Sequence, residues 1–402
     1  MFPKLRFKEF DENWKEVTLK NCITSIDSGW SPQCESYPAN SSEWGVLKTT
    51  SVDWSGFNSS FNKKLPLELT PRKEIEVKPL DILVTRAGPT ERVGVVSVVP
   101  HSVRSKLMIS DKLIRLKSNE ENNPLFLGIS LSSVKCQNQL QSKTSGLAKS
   151  QTNISQKILG EVLLKLPSKE EQTKIASFLS AVDEKISQLT KKHELLSQYK
   201  QGMMQKLFSQ QIRFKADDGS EFGEWEEKKL GEICQFINGR AYKQTEWEKE
   251  GIPVIRLQNL TGSGKEYYYS NLNLPAHQYC YNNDLLYMWS ATFGPVFWQG
   301  EKAIFHYHIW KIEVNPSLLD RKYMYFLLDE MTEKMKRSLN GSTMLHVTKQ
   351  GMENTQKIVP SLPEQTKIAN FLSAIDQKIN VVSEQLEQAR LWKKGLLQQM
   401  FV

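Results

Sequence analysis

The sequence predicts an α+β chain in which two β-rich domains are separated by two long helices. The helices pair as an antiparallel coiled coil, and the whole is pseudo-two-fold symmetric. Three observations carry this reading. A long segment occurs twice, each copy opens a heptad pattern, and the flanking segments repeat in circular order.

Residues 167–186 (PSKEEQTKIASFLSAVDEKI) match residues 360–379 (PSLPEQTKIANFLSAIDQKI) at 15 of 20 positions, at an offset of 193. The same offset aligns 199–208 (YKQGMMQKLF) with 392–401 (WKKGLLQQMF) without a gap. After the first copy, Ile212-Arg213-Phe214-Lys215 leads to Trp225 and Leu230. The same pattern, Leu5-Arg6-Phe7-Lys8 with Trp14 and Leu19, opens the chain. The order is that of a circle cut open, so the two ends are expected to lie close together. The predicted divisions are a first domain at 1–166, a first helix at 167–210, a second domain at 211–359 and a second helix at 360–402.

Within the first domain, 82–85, 93–99 and 112–116 read as strands. In the second, 303–310 reads as one strand, and Tyr323, Phe326, Leu327, Glu330 and Met331 have helical spacing. The first helix carries its seam at Ile175, Leu179, Val182, Ile186 and Leu189, continuing through His193 and Lys200. The second carries it at Ile368, Leu372, Ile375, Ile379 and Val382, continuing through Lys393. Steps of three and four keep one face turned to a partner helix. Pro167, Ser168, Pro360 and Ser361 suit helix starts, and Glu170, Glu171 and Glu364 suit first turns. Because one helix runs from the first domain to the second and the other runs back, the pair is antiparallel.

Composition narrows the function. The chain has 402 residues, 39% hydrophobic and 24% charged, which excludes a wholly disordered protein. No apolar run is long enough to span a membrane. Five scattered cysteines without a CxxC argue against a disulfide framework and a structural zinc site, and fit a cytoplasmic chain. The net charge is +8, of which +6 lies in residues 1–167 and −1 in 210–359. That balance leans towards a polyanionic partner without establishing one.

Catalytic signatures are missing. Gly262-Ser263-Gly264-Lys265 lacks the rest of a P-loop, and Asp329-Glu330 without one reads as a solvated helix face. Asp81 with Glu76 and Lys78 reads as surface charge. His306-Tyr307-His308 reads as a strand pair rather than a metal site, since no third ligand is near. Cys22 and Cys34 read as core or loop residues. Tyr267, Tyr268, Tyr269, Tyr287, Trp289, Phe293, Phe297 and Trp298 suit either a β-domain core or base stacking. Arg86 and Arg92, in a Gly/Pro loop, suit either surface charge or contacts to guanine or phosphate.

The duplicated EQTKIAxFLSAxDxKI, each copy placed after a divergent region of about 150 residues, resembles the specificity subunit of type I restriction–modification systems. The resemblance covers essentially the whole chain. It implies that 1–166 and 211–359 are target recognition domains reading an asymmetric, bipartite double-stranded DNA site, and that the helices are spacers. It implies a non-catalytic chain that scaffolds two methyltransferase (M) subunits and, with them, restriction/translocase (R) subunits of an adenine-methylating, DNA-cleaving complex. No cofactor is expected on this chain. S-adenosylmethionine, ATP and Mg²⁺ would sit on partner subunits.

The resemblance does not transfer base-reading residues. Polar and basic residues of glycine-containing loops are the candidates: Arg86, Thr90, Arg92, Lys143, Ser145 and Lys149 in the first domain. In the second they are Arg256, Gln258, Asn259, Ser290, Thr292, Ser342, Thr343 and His346. Two other classes stand beside this reading: a coiled-coil scaffold or decoy that binds methyltransferase subunits without reading DNA, and a metal-dependent nuclease acting alone.

Overall fold

A computed structural model describes residues 3–144, 152–290, 292–338 and 347–401. The chain forms two compact units, residues 1–189 with 385–402 and residues 190–384. Two long helices, Lys169–Phe208 and Leu362–Met400, each contribute residues to both units.

The first unit is built on a four-stranded antiparallel sheet in the order Ile23–Ser28, Leu113–Ser118, Ile82–Thr85, Val96–Val98. The second unit has the same order in Cys234–Asn238, Ile309–Val314, Leu285–Ser290 and Thr292–Phe297. Each unit adds a second sheet with one parallel pairing, three-stranded in the first unit and four-stranded in the second. Gly45–Leu47 lies beside Leu107–Met108 in the first, and Ile252–Ile255 beside Ala303–Phe305 in the second. A two-stranded ribbon closes each unit, Lys15–Thr18 with Leu163–Leu166 and Glu226–Lys229 with Gln356–Val359. The two divergent regions therefore share the strand order of the main sheet, the parallel pairing and the closing ribbon.

Two strand expectations need correction. In 93–99 only Val96–Val98 is strand, because Gly94 takes a left-handed φ of 84° and turns the chain. The expected strand 303–310 is two strands in different sheets, Ala303–Phe305 and Ile309–Val314. Between them His306–His308 forms a turn closed by Ile309 N–H donating to the His306 carbonyl at 2.9 Å. The expected helix is found at Arg321–Ser338, with Tyr323, Phe326, Leu327, Glu330 and Met331 all buried.

The helix seam forms in both units. In the first, Ile175, Leu179 and Val182 share a core with Leu396 and Met400, so the start of one helix packs on the end of the other, antiparallel. In the second, Ile368, Leu372 and Ile375 share a core with Met204 and Leu207. Ile186 and Ile379 pack at the margins of these cores, while Leu189 and Val382 are themselves buried. The seam lysines find acid partners at equivalent places. Lys393 pairs with Asp183 at 2.5 Å in the first unit, and Lys200 with Asp376 at 2.7 Å in the second. Polar pairs within an apolar seam favour one register over its slipped alternatives.

The duplicated EQTK residues are the clamp between helix and domain. Glu171 accepts two hydrogen bonds from Arg6, both 2.7 Å, and Glu364 accepts two from Arg213 at 3.1 and 2.8 Å. Gln172 and Gln365 each donate to the carbonyl of the proline five residues earlier, at 3.0 and 2.8 Å. Their side-chain oxygens accept from Asn123 N–H and Asp320 N–H. Phe178 meets Phe7 edge-on, as Phe371 meets Phe214. The repeat thus preserves a buried polar network whose members are all partnered, which fixes the angle at which each helix leaves its domain. The cut-circle expectation also holds: Leu5 N–H donates to the Gln399 carbonyl at 3.0 Å.

Candidate nucleic-acid interface

Each unit carries an equivalent surface where the loop after the first sheet strand crosses the loop entering the second. Gly29 and Gly239 make this crossing possible. A Cβ on either would lie 2.0 Å from the Ile109 carbonyl oxygen or 2.2 Å from that of His306. The residue after each glycine is then anchored by its backbone: Trp30 N–H donates to the Ile109 carbonyl, and Arg240 N–H to that of Phe305. The scaffold is the same and the side chains differ.

On the first unit, the Arg72 guanidinium lies 4.3 Å from the Trp30 ring, with Ser31, Asp111 and Lys112 exposed beside it. Arg86 joins this edge through its N–H, which donates to the Lys112 carbonyl at 2.8 Å. Thr90 Oγ1 lies 2.7 Å from Thr152 Oγ1. Arg92 is committed elsewhere. It donates to Asp53 at 2.5 Å and to the carbonyls of Val52 and Thr49 at 2.7 and 3.3 Å, so it holds the neighbouring loop. That salt bridge holds the Asp53 carboxyl below its usual range. Lys143 is exposed, 3.8 Å from Glu161. Ser145, Lys149, Ser342, Thr343 and His346 lie outside the described residues.

On the second unit, Arg240 bonds Glu246 at 2.5 Å and lies 4.9 Å from the Tyr242 ring, while Arg256 lies 5.1 Å from the Tyr268 ring. Trp247 packs between, 5.5 Å from Tyr242 and 4.5 Å from Tyr268. Asn259 is structural: it accepts from Arg256 N–H at 2.9 Å and donates to the Glu266 carbonyl at 2.9 Å. Gln258 is half-buried on the same short helix, Leu257–Thr261. Ser290 and Thr292 face each other across the sheet hairpin, Ser290 buried and Thr292 exposed.

The aromatics divide. Tyr287 is fully buried and stacks on Trp310, Trp298 is buried, and Phe297 stacks on Tyr325. Tyr268 is exposed, and half-buried Trp289 donates its Nε1–H to the Tyr307 carbonyl at 2.8 Å, beside the His306–His308 turn. Arg240, Tyr242, Trp247, Trp30 and Arg72 were not candidates from sequence. Aligning Ser28-Gly29-Trp30 with Asn238-Gly239-Arg240 would have exposed the equivalence.

Burial, then His308 and Arg256, lower the His306 pKa from 6.5 to about 4. His306 is therefore neutral at pH 7, with one ring nitrogen a donor and the other an acceptor. Between pH 6.5 and 4 the unfolded chain takes up a proton that the folded chain refuses. The fold therefore loses stability as pH falls through that window, and this group adds no dependence above it. A proton NMR titration should find this imidazole titrating near 4, and His306→Asn should flatten the acid limb of the stability curve.

Other sequence candidates prove structural. The acidic pair is not a solvated face: Glu330 is buried and bridges Lys334 at 2.6 Å, and Asp329 lies 3.6 Å from Lys200. Burial raises the Asp329 carboxyl. Asp81 is also buried rather than surface charge. It accepts from Lys78 N–H at 2.8 Å and lies 3.8 Å from buried Arg115. Cys22, Cys136, Cys234 and Cys280 are buried free thiols, and Cys34 is half-buried. Burial pushes Cys22 up to about 11 and Cys234 and Cys280 to about 12, so these three remain protonated at neutral pH. Among the described residues no group of three or more His, Cys, Asp or Glu is arranged to hold a metal, and no helix is long and apolar enough to cross a membrane.

Two topologically equivalent α+β units, linked by duplicated helices and differing in their exposed edges, define a duplicated recognition scaffold. Residues 12–197 and again 223–390 match the family described as Type I restriction modification DNA specificity domain, and the chain belongs to that family. It is 40% identical over 171 residues to the EcoEI specificity subunit of Escherichia coli, covering 42% of this chain and only 29% of that protein. It is 27% identical over 410 residues to the putative MjaX specificity subunit of Methanocaldococcus jannaschii, covering 98% of this chain and 94% of that one. The fold is similar to the crystal structure of a type I restriction–modification S subunit from M. genitalium, with TM-score 0.64 and 17% identity over 100% of this chain and 99% of the other. A chain from a study of complex assembly and conformational transition of the type I R-M system has TM-score 0.55 and 16% identity, covering 97% and 98%.

Proposed function

We propose that the chain is the DNA-reading subunit of a cytoplasmic type I restriction–modification complex, with each domain reading one half of an asymmetric bipartite site. The observation that carries the reading is the equivalence of the two loop crossings at Gly29 and Gly239. One backbone frame presents Trp30 and Arg72 in one domain, and Arg240, Arg256 and Tyr268 in the other. A shared frame with unlike side chains suits two half-sites of unlike sequence. Arginine and aromatic edges are the chemistry that contacts guanine, phosphate and unstacked bases. The length of the spacer helices would set the unread gap. The sequence candidates remain part of this proposal, with Arg92 and Asn259 acting by shaping the loops they hold.

The helices also carry equivalent exposed aromatics, Tyr199 and Trp392, 51% and 54% exposed and 193 residues apart. Exposed aromatic side chains at equivalent places suit docking of two copies of one partner, here two methyltransferase subunits. Restriction/translocase subunits would join through them. S-adenosylmethionine, ATP and Mg²⁺ would be bound by these partners, and this chain would perform no catalysis.

Co-expression with the cognate methyltransferase subunit in a host lacking such modification, followed by mapping of methylated adenines, tests the reading. A two-part asymmetric motif with a fixed gap is expected, and exchanging either domain should change one half of it. A stable complex with a methyltransferase subunit known to be active, but no methylation, would replace this reading with the scaffold or decoy.

A further inference from the structure

Given the DNA-reading function proposed above, on which this rests, we infer that each half of the site holds a guanine, read by Arg72 in the first domain and by Arg256 in the second. The arginines of the two units divide. Arg6, Arg92, Arg104 and Arg115 of the first unit donate to acceptors of the chain itself, as do Arg213 and Arg240 of the second. Arg72 and Arg256 differ: among the described residues neither side chain makes a hydrogen bond or an ion pair. Each guanidinium lies instead over a ring, Arg72 at 4.3 Å from the centre of Trp30 and Arg256 at 5.1 Å from that of Tyr268.

Both arginines stand at a loop crossing and are fixed there by their backbone. Trp30, which carries Arg72, is the residue after Gly29. Arg256 follows Ile255, whose carbonyl accepts from His306 N–H at 2.9 Å, and the His306 carbonyl is the one that Gly239 lies against. Each arginine opens a short helical turn, Lys73–Ile75 or Leu257–Thr261. Its carbonyl accepts from the N–H three residues on, Ile75 at 3.2 Å or Asn259 at 3.0 Å. The two turns come from non-equivalent segments, so the likeness is one of geometry and leaves no trace in the duplicated sequence.

The chemistry of the base follows. Stacking engages the face of a guanidinium, whereas its N–H donors lie in its own plane, at the rim. A ring on one side therefore fixes that plane without consuming donors. Two parallel donors match the O6 and N7 of guanine, the one base with two adjacent acceptors on its major-groove edge. A phosphate takes the same fork, but the local charge opposes it. Asp111 is exposed in the first unit, tied through its N–H to the Ser31 hydroxyl next to Trp30, and Glu246 offsets Arg240 in the second. An exposed carboxylate repels a phosphate, yet it accepts from the N4 amine of cytosine, the partner of guanine.

The test uses the full chain in complex with its methyltransferase subunit, on duplexes carrying the mapped motif. Exchanging each domain in turn assigns a half-site to each. Each half should hold a guanine whose replacement by 7-deazaguanine, which lacks the N7 acceptor, weakens binding by about tenfold. Arg72→Ala should abolish that penalty in the first half, and Arg256→Ala in the second. Arg72→Lys and Arg256→Lys keep the charge and lose the fork, so they should lose the guanine preference as the alanine variants do. Lysine variants that keep the full motif, beside alanine variants that weaken binding to every sequence alike, would place both arginines on phosphate and overturn the inference. A bipartite motif in which 7-deazaguanine is tolerated at every position would overturn it too, and would leave the DNA-reading function standing. No motif at all would remove both.

Discussion

Glu364→Ala should destabilise the second unit by about 2–4 kcal/mol, because it strands a guanidinium and an indole N–H that share one carboxylate. Glu364 is fully buried, and it accepts from Arg213 Nε, Arg213 Nη2 and Trp225 Nε1. Arg213 keeps 23% of its side chain in solvent, which trims the penalty below that of a fully buried orphan. Glu171→Ala should act the same way on the first unit, but more mildly at the indole, since Trp14 does not bond Glu171. Two-step chemical denaturation should show the loss in one transition per variant. Replacing both partners, Arg213→Met with Glu364→Leu, should cost less than Glu364→Ala alone, because no buried charge is then left unmatched. Equal losses in the single and double variants would mean that packing, not charge, dominates this joint.

That joint explains what could be read from the sequence. A side chain serving a contact that occurs twice leaves a double trace. Glu171 and Glu364, Phe178 and Phe371, and the seam lysines Lys200 and Lys393 were all visible as pairs. The fold class, the helices and their antiparallel pairing followed from that trace and from chain connectivity. What escaped depended on backbone geometry or on a single packing event. His306–His308 has strand composition, but the Gly239 crossing forces a turn there. Asp329-Glu330 resembles a solvated pair until the first long helix lays Lys200 beside it. Arg92 and Arg86 share one loop and one residue type, yet only Arg92 meets Asp53. Residue type and loop chemistry do not separate an arginine that meets Asp53 from one that does not, because that partner lies 39 residues away.

The same distinction sets the second expected result, in which Arg256→Ala and Arg92→Ala fail differently. Arg256 rests its guanidinium over Tyr268, and on the proposed reading its donors meet a base edge. Its loss should weaken cognate binding by about 10–100-fold, and relax one position in one half of the methylation motif. The other half should be unchanged, since the surface proposed to read it belongs to a different unit. Arg92→Ala should instead free the loop at 49–53 and blur several positions of the first domain's half-site. Exposed Lys112 gives the third pattern. If it meets phosphate, Lys112→Ala should weaken binding to all sequences alike and reduce the salt slope by about 1. Measuring motif and salt slope together separates base reading, loop shaping and phosphate contact. An Arg256→Ala complex that keeps its full motif, while losing affinity for every sequence equally, would move Arg256 from the base-reading set to the phosphate set.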